Sequence, residues 1–171
     1  MIAFFDTNVH VDVLRGTRAL ADVLDALGAP LVRLCPIVAS ELLRGITGRG
    51  GRAVERLVRS LVAIEPPSWR RCWLEAGRLL PRIFAHHEKI GIARLQNDVL
   101  LALTARHTGA VLVTGDAHFV TLRRHVSFPL KVLRQESPRH AAAASHRGRS
   151  TSMPPMYGRS GSGITTVPSD R

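Results

Sequence analysis

Four acids of this 171-residue chain, Asp6, Glu41, Asp98 and Asp116, are placed where they can do chemistry together. Asp6 ends the apolar run IAFF at the start of MIAFFDTNVH. Asp116 follows AVLVT after Gly115 alone. Glu41 falls in the first turns of a helix that follows LVRLCP, and Asp98 in the first turn of the helix LQNDVLLALTARHTG. Taken singly, each has an ordinary reading. Asp6 and Asp116 suit helix caps, Asp98 suits a cap or a favourable helix dipole, and Glu41 suits a solvated face. In a parallel α/β sheet, however, strand ends and the following helix starts share one edge, where ligands bind. All four acids then converge. Carboxylates in one pocket cannot all stay ionised unless a cation joins them. Mg²⁺ or Mn²⁺ is the fitting ion, because hard cations prefer oxygen ligands.

The neighbours of these acids extend the site. Thr7 and Asn8 can orient Asp6, Asn97 can orient Asp98, and Thr114 precedes the turn into Asp116; Ser40 stands beside Glu41. For each, a turn or capping role competes with a part in catalysis. Arg15, Arg44 and Arg94 lie close in sequence to the acids and are candidates for phosphate contacts, against the reading of ordinary surface arginines. His118 lies near Asp116, with a structural role favoured. His86 and His87 are adjacent and so face different directions on a helix. Trp69 and Trp73, at i,i+4 spacing, read as a packed pair rather than a base-stacking platform.

The elements that must hold these residues alternate along the chain. IAFF is a strand, a helix starts over Val9–Arg15, and TRALADVLDALG is a second helical segment ending at Gly28. LVRLCP reads as a strand, residues 37–45 as a helix, GRAVERLVRSLV as a helix, and VAIEP as a short strand stopped by two prolines. SWRRCWLEAGRLL is helical, with a break or kink at Pro81. LQNDVLLALTARHTG is a helix stopped by Gly109; AVLVT, AHFVTLRR and PLKVL follow as strand, helix and strand. Such alternation predicts an α/β domain with a mainly parallel sheet.

Composition sets the frame. At 45% hydrophobic residues the chain can build a core, burying roughly two-thirds of its unfolded surface at this size. Residues 1–136 carry 19 basic and 12 acidic residues, net +7, and residues 137–171 carry 5 and 1, net +4. The first segment reads as the domain, and the Ser/Gly/Pro/Arg-rich tail from Ser137 as disordered. The formal charge of +11 favours a polyanionic partner such as nucleic acid, and an Arg-rich codon bias is the competing explanation. Cys35 and Cys72 have no zinc spacing and read as reduced core thiols. There is no signal peptide pattern and no apolar run of membrane-spanning length, so a cytoplasmic protein without a membrane partner is expected. No dinucleotide fingerprint, P-loop or nucleophile elbow is present.

The stretches FFDTNVHVDVLRG, PIVASELLRGI, RLQNDVLLALTARHTGAVLVTGDAHF and PLKVL resemble the PIN-domain nucleases, specifically the VapC toxins of bacterial toxin–antitoxin pairs. The resemblance spans about residues 1–133 and does not reach the tail. It implies a PIN-like fold, a central mainly parallel sheet flanked by helices. It also implies that Asp6, Glu41, Asp98 and Asp116 form the metal site of a Mg²⁺- or Mn²⁺-dependent endoribonuclease. A homodimer and a small VapB-like antitoxin are implied as partners beside the RNA substrate. Other readings are a housekeeping PIN-type RNA-processing nuclease, a non-catalytic nucleic-acid-binding module, and a phosphoacceptor domain. The last wants a lysine at the end of the final strand, whereas Lys131 sits inside PLKVL.

Overall fold

A computed structural model of the chain describes residues 1–45, 50–84 and 92–134, the side chain of Ile92 excepted. The readings at His86, His87 and the tail from Ser137 lie outside these residues. Four strands form one sheet: β1 (Ile2–Phe5), β2 (Leu31–Arg33), β3 (Val111–Thr114) and β4 (Leu130–Val132). Their order is β2-β1-β3-β4, and every pairing is parallel. Seven described helices connect them: α1 (Thr7–Leu14), α2 (Leu20–Asp25), α3 (Pro36–Arg44), α4 (Gly51–Ser60), α5 (Trp69–Ile83), α6 (Ile92–Thr108) and α7 (His118–Arg123). This is the α/β architecture that the alternation predicts.

Side chains alternate across a strand, so a sheet covered on both faces needs apolar residues throughout. β1 meets that need. Ala3 and Phe5 pack on one face with Val9, Val23, Leu27 and Val113, on the side of α1 and α2. Phe4 packs on the other with residues of α3, α5, α6 and α7. Residues 99–105 of α6 are all buried, as expected of a helix enclosed on every side. On the outer end of α6, Arg106 Nη2 donates to both oxygens of Glu75 in α5, at 2.7 and 2.8 Å. Gly109 ends α6 at φ +70°, a left-handed position that suits glycine.

Four local expectations are corrected. VAIEP forms no strand; a single parallel bridge joins Ala63 to Leu34, because Pro66 and Pro67 cannot donate to a longer ladder. Pro81 does not break α5, which runs on to Ile83, the Phe84 N–H still donating to the Leu80 carbonyl at 2.9 Å. α1 begins at Thr7 rather than Val9, capped by Asp6. α6 begins at Ile92, so Asp98 lies in its second turn and not its first.

His10 is the one buried imidazole among the described residues, 4% exposed. Its ring centroid is 5.4 Å from that of Phe5, and its Nε2 has no hydrogen-bond partner. Burial lowers its pKa to about 4, so the ring is neutral.

Candidate active site

The chain leaves β1 towards β2 on one side, while β3 lies on the other. The loops after β1 and β3 therefore diverge, which opens a crevice at the carboxyl edge of the sheet. Asp6 and Asp116 stand on these two loops. Asp6 continues the β1–β3 ladder, its N–H donating to the Val113 carbonyl at 2.8 Å, and then caps α1. Its Oδ1 accepts from the Thr7 N–H at 2.7 Å. Its Oδ2 accepts from Asn8 Nδ2 and from the Thr114 hydroxyl, both at 2.8 Å. The cap and the candidate ligand are thus one and the same side chain.

Thr114 is fully buried and works on both loops, since its Oγ1 also accepts from the Asp116 N–H at 3.0 Å. Asn8 closes the ring: its Oδ1 accepts from the Gly115 N–H at 3.1 Å. Asp116 Oδ1 accepts from the His118 N–H at 2.8 Å, fixing the start of α7. Its Oδ2 faces Arg94 Nη2 at 3.3 Å.

The other two acids arrive on helices. Glu41 is gripped from both sides, by the Thr7 hydroxyl at Oε2 and by Asn97 Nδ2 at Oε1, 2.6 Å away. Asn97 therefore serves Glu41, not its sequence neighbour Asp98 as expected. Asp98 Oδ2 is 3.6 Å from His118 Nδ1, and the His118 ring stacks on Phe84 with centroids 5.1 Å apart. Arg15 lines a cleft with Thr7 and Glu41, and Arg44 lines a separate groove with Asn97.

Electrostatics tie the four acids into one cluster. Burial raises the Asp6 pKa most; hydrogen bonds from Thr114 and Thr7 oppose this, and the charges of Glu41 and Asp116 add to it. The Asp98 pKa rises to about 7, through burial first and then the Asp6 charge. Arg94 holds it down, while Asp116 and Glu41 push it further up. Such a cluster disfavours full ionisation by itself. Its donors are hard oxygens, which fit Mg²⁺ or Mn²⁺. Among the described residues no three acidic, histidine or cysteine side chains stand as a ready ligand group.

The sequence profile of the PIN domain matches residues 3–124. Among solved structures, the chain is similar to VapBC2 from Rickettsia felis, solved bound to a DNA fragment from their promoter. That match has 22% identity and a TM-score of 0.56 and covers 78% of this chain and 99% of the other. It is also similar to VapBC-1 from nontypeable Haemophilus influenzae, at 22% identity and a TM-score of 0.54, covering 77% and 98%. At such identity the likeness is one of fold. No curated protein matches the chain. No described helix is long and apolar enough to cross a membrane.

Proposed function

Because this chain belongs to the PIN domain family, we propose that it is a Mg²⁺- or Mn²⁺-dependent endoribonuclease, the toxin of a toxin–antitoxin pair. One observation carries the catalytic part. Four acids, from two loops and two helices of a basic domain, share one electrostatic cluster at the switch point of a parallel sheet. The toxin part rests on the likeness in fold to two VapBC structures. It carries with it the proposals of a VapB-like antitoxin and of a homodimer.

Asp6, Asp98 and Asp116 would hold the ion, with Glu41 beside them. When bound, the ion supplies a water of lowered pKa and a positive charge for the phosphate oxygens. The protein's own part is positioning. Thr114 and Asn8 fix the Asp6 carboxylate across the crevice. Thr7 and Asn97 hold Glu41, which would orient the attacking water. Arg94, 75% exposed at its side chain beside Asp116, meets a phosphate neighbouring the scissile one. The phosphoacceptor reading is the weaker one, since Lys131 is exposed in the middle of β4.

The test is incubation of the pure chain with structured RNA, with and without Mn²⁺. Product bands that vanish with EDTA and with Asp6→Asn are expected. RNA that is retarded but uncut would replace the nuclease with a binding module, and labelling of an aspartate by acetyl phosphate would favour a phosphoacceptor. For the toxin part, expression of the chain should arrest growth, and co-expression of a small neighbouring reading frame should restore it. Growth arrest that survives Asp6→Asn would sink that part alone.

A further inference from the structure

We propose that the groove carrying Trp69 and Trp73 is a stacking subsite for an unpaired nucleobase of the RNA strand held at the acid cluster. The inference rests on the nuclease reading and deepens it.

The groove is an open cavity of about 420 Å³. Trp69 and Trp73 of α5 form one wall, and Ile37, Ser40 and Arg44 of α3 form another. Asn97 of α6 lies in it as well. The i,i+4 spacing puts both indoles on one helix face. Trp69 is partly buried, packs on the core and donates its Nε1–H to Glu65 Oε2 at 3.0 Å. Trp73 is left 46% exposed. One ring is anchored, and the other is free to take a partner.

Continuity with the acids decides what that partner is. Asn97 belongs to the groove, and its amide is bonded to Glu41 at 2.6 Å. Ser40 and Arg44 flank Glu41 on the same helix. A strand with a phosphate at the acids would thus pass its next residues over this wall. Among the described residues the lining holds one cation, Arg44, and no carboxylate, a charge suited to a nucleotide backbone. Aromatic rings next to a cationic wall are the means by which proteins hold single strands without reading sequence, since every base has a π-face.

Both tryptophans of the chain lie in this groove, so tryptophan emission reports on it alone. The experiment titrates the full chain, in Mg²⁺, with a dye-labelled 2′-O-methylated single-stranded RNA. Emission and dye anisotropy are read together. Saturable quenching is expected, with Trp73→Ala weakening binding by about tenfold and Trp73→Phe restoring most of it. Anisotropy that rises while the tryptophans stay silent would overturn the subsite and leave the nuclease standing. Emission that changes with chain concentration and not with RNA would also overturn it, by giving the groove to a second copy of the chain. A chain that neither binds nor cuts RNA would instead remove the nuclease reading beneath it.

Discussion

Thr114 donates its hydroxyl proton to Asp6 Oδ2 at 2.8 Å, across 108 residues of sequence and between the two strands that flank the switch of the sheet. The Thr114 Oγ1 in turn accepts from the Asp116 N–H. One fully buried hydroxyl therefore sets the separation of two acids that no local turn could relate.

Thr114→Val should expose the weight of that link. It keeps the shape of the side chain but leaves Asp6 short of a donor and the Asp116 N–H without its acceptor. A loss of about 1–3 kcal/mol is expected in thermal or urea unfolding. RNA cleavage should fall about 10–100-fold, as for other residues that orient metal ligands, and Thr114→Ser should recover most of both. Wild-type cleavage by Thr114→Val would show that the two loops are held without it.

Asp98→Asn should stabilise the metal-free protein at pH 8 while abolishing cleavage. The carboxyl of Asp98 titrates at about 7 in the fold against 3.8 in an unfolded chain. Its charge therefore opposes folding above pH 7, by on the order of 4 kcal/mol. This penalty fades as pH falls from 7 towards 3.8, because the folded state takes up the proton first. Melting curves of the two proteins should converge across that window. A gap independent of pH would mean that Asp98 is not the source of the strain.

His10 acts with the opposite sign. Its pKa of about 4 in the fold lies below the ordinary 6.5, so the unfolded chain binds the proton first. Above pH 6.5 the residue contributes no pH dependence. Between 6.5 and 4 it should remove on the order of 3 kcal/mol of stability as the pH falls. Since Asp98 gains over the same range, the comparison to make is wild type against His10→Phe. The variant should lose less stability on acidification, and parallel curves would reject the assignment.

Arg94→Ala should separate metal binding from RNA cutting. The guanidinium competes for Asp116 and lowers the pKa of Asp98. Without it, Mn²⁺ affinity measured by calorimetry should rise, up to about fivefold, because an exposed pair is worth at most about 1 kcal/mol. Cleavage should fall through KM, since a phosphate contact is lost. Weaker Mn²⁺ binding in the variant would contradict the competition.

What the sequence reveals of this fold follows from the range of the forces involved. The strands are plain because IAFF and VLVT are apolar runs that stop at polar turns, and short-range patterning is enough to find them. The sheet edge shared by the acids follows from parallel topology, which alternation implies. The start of α6 is hidden, because Ile92, Ala93 and Arg94 extend the helix ahead of the apolar pattern of LQNDVLLALTARHTG. The partners of the acids are hidden for a different reason. Thr7 and Glu41 meet across 34 residues, and Asn97 and Glu41 across 56. Such contacts are fixed by how α1, α3 and α6 pack, and no local spacing encodes that. The openness of the Trp69–Trp73 groove has the same origin: i,i+4 spacing gives a shared face, not what covers it.

The pairing of β1 with β3 also governs when the site can exist during synthesis. β1 and Asp6 leave the ribosome at the start of translation, but their central neighbour strand and Asp116 come only near the end of the folded domain. At roughly 5–20 residues per second, seconds pass in which the nascent chain holds Asp6 without its counterpart. A parallel pair of such long sequence separation also forms late, after the loop-closure entropy has been met. The chain therefore spends its time at the ribosome with its acid cluster incomplete.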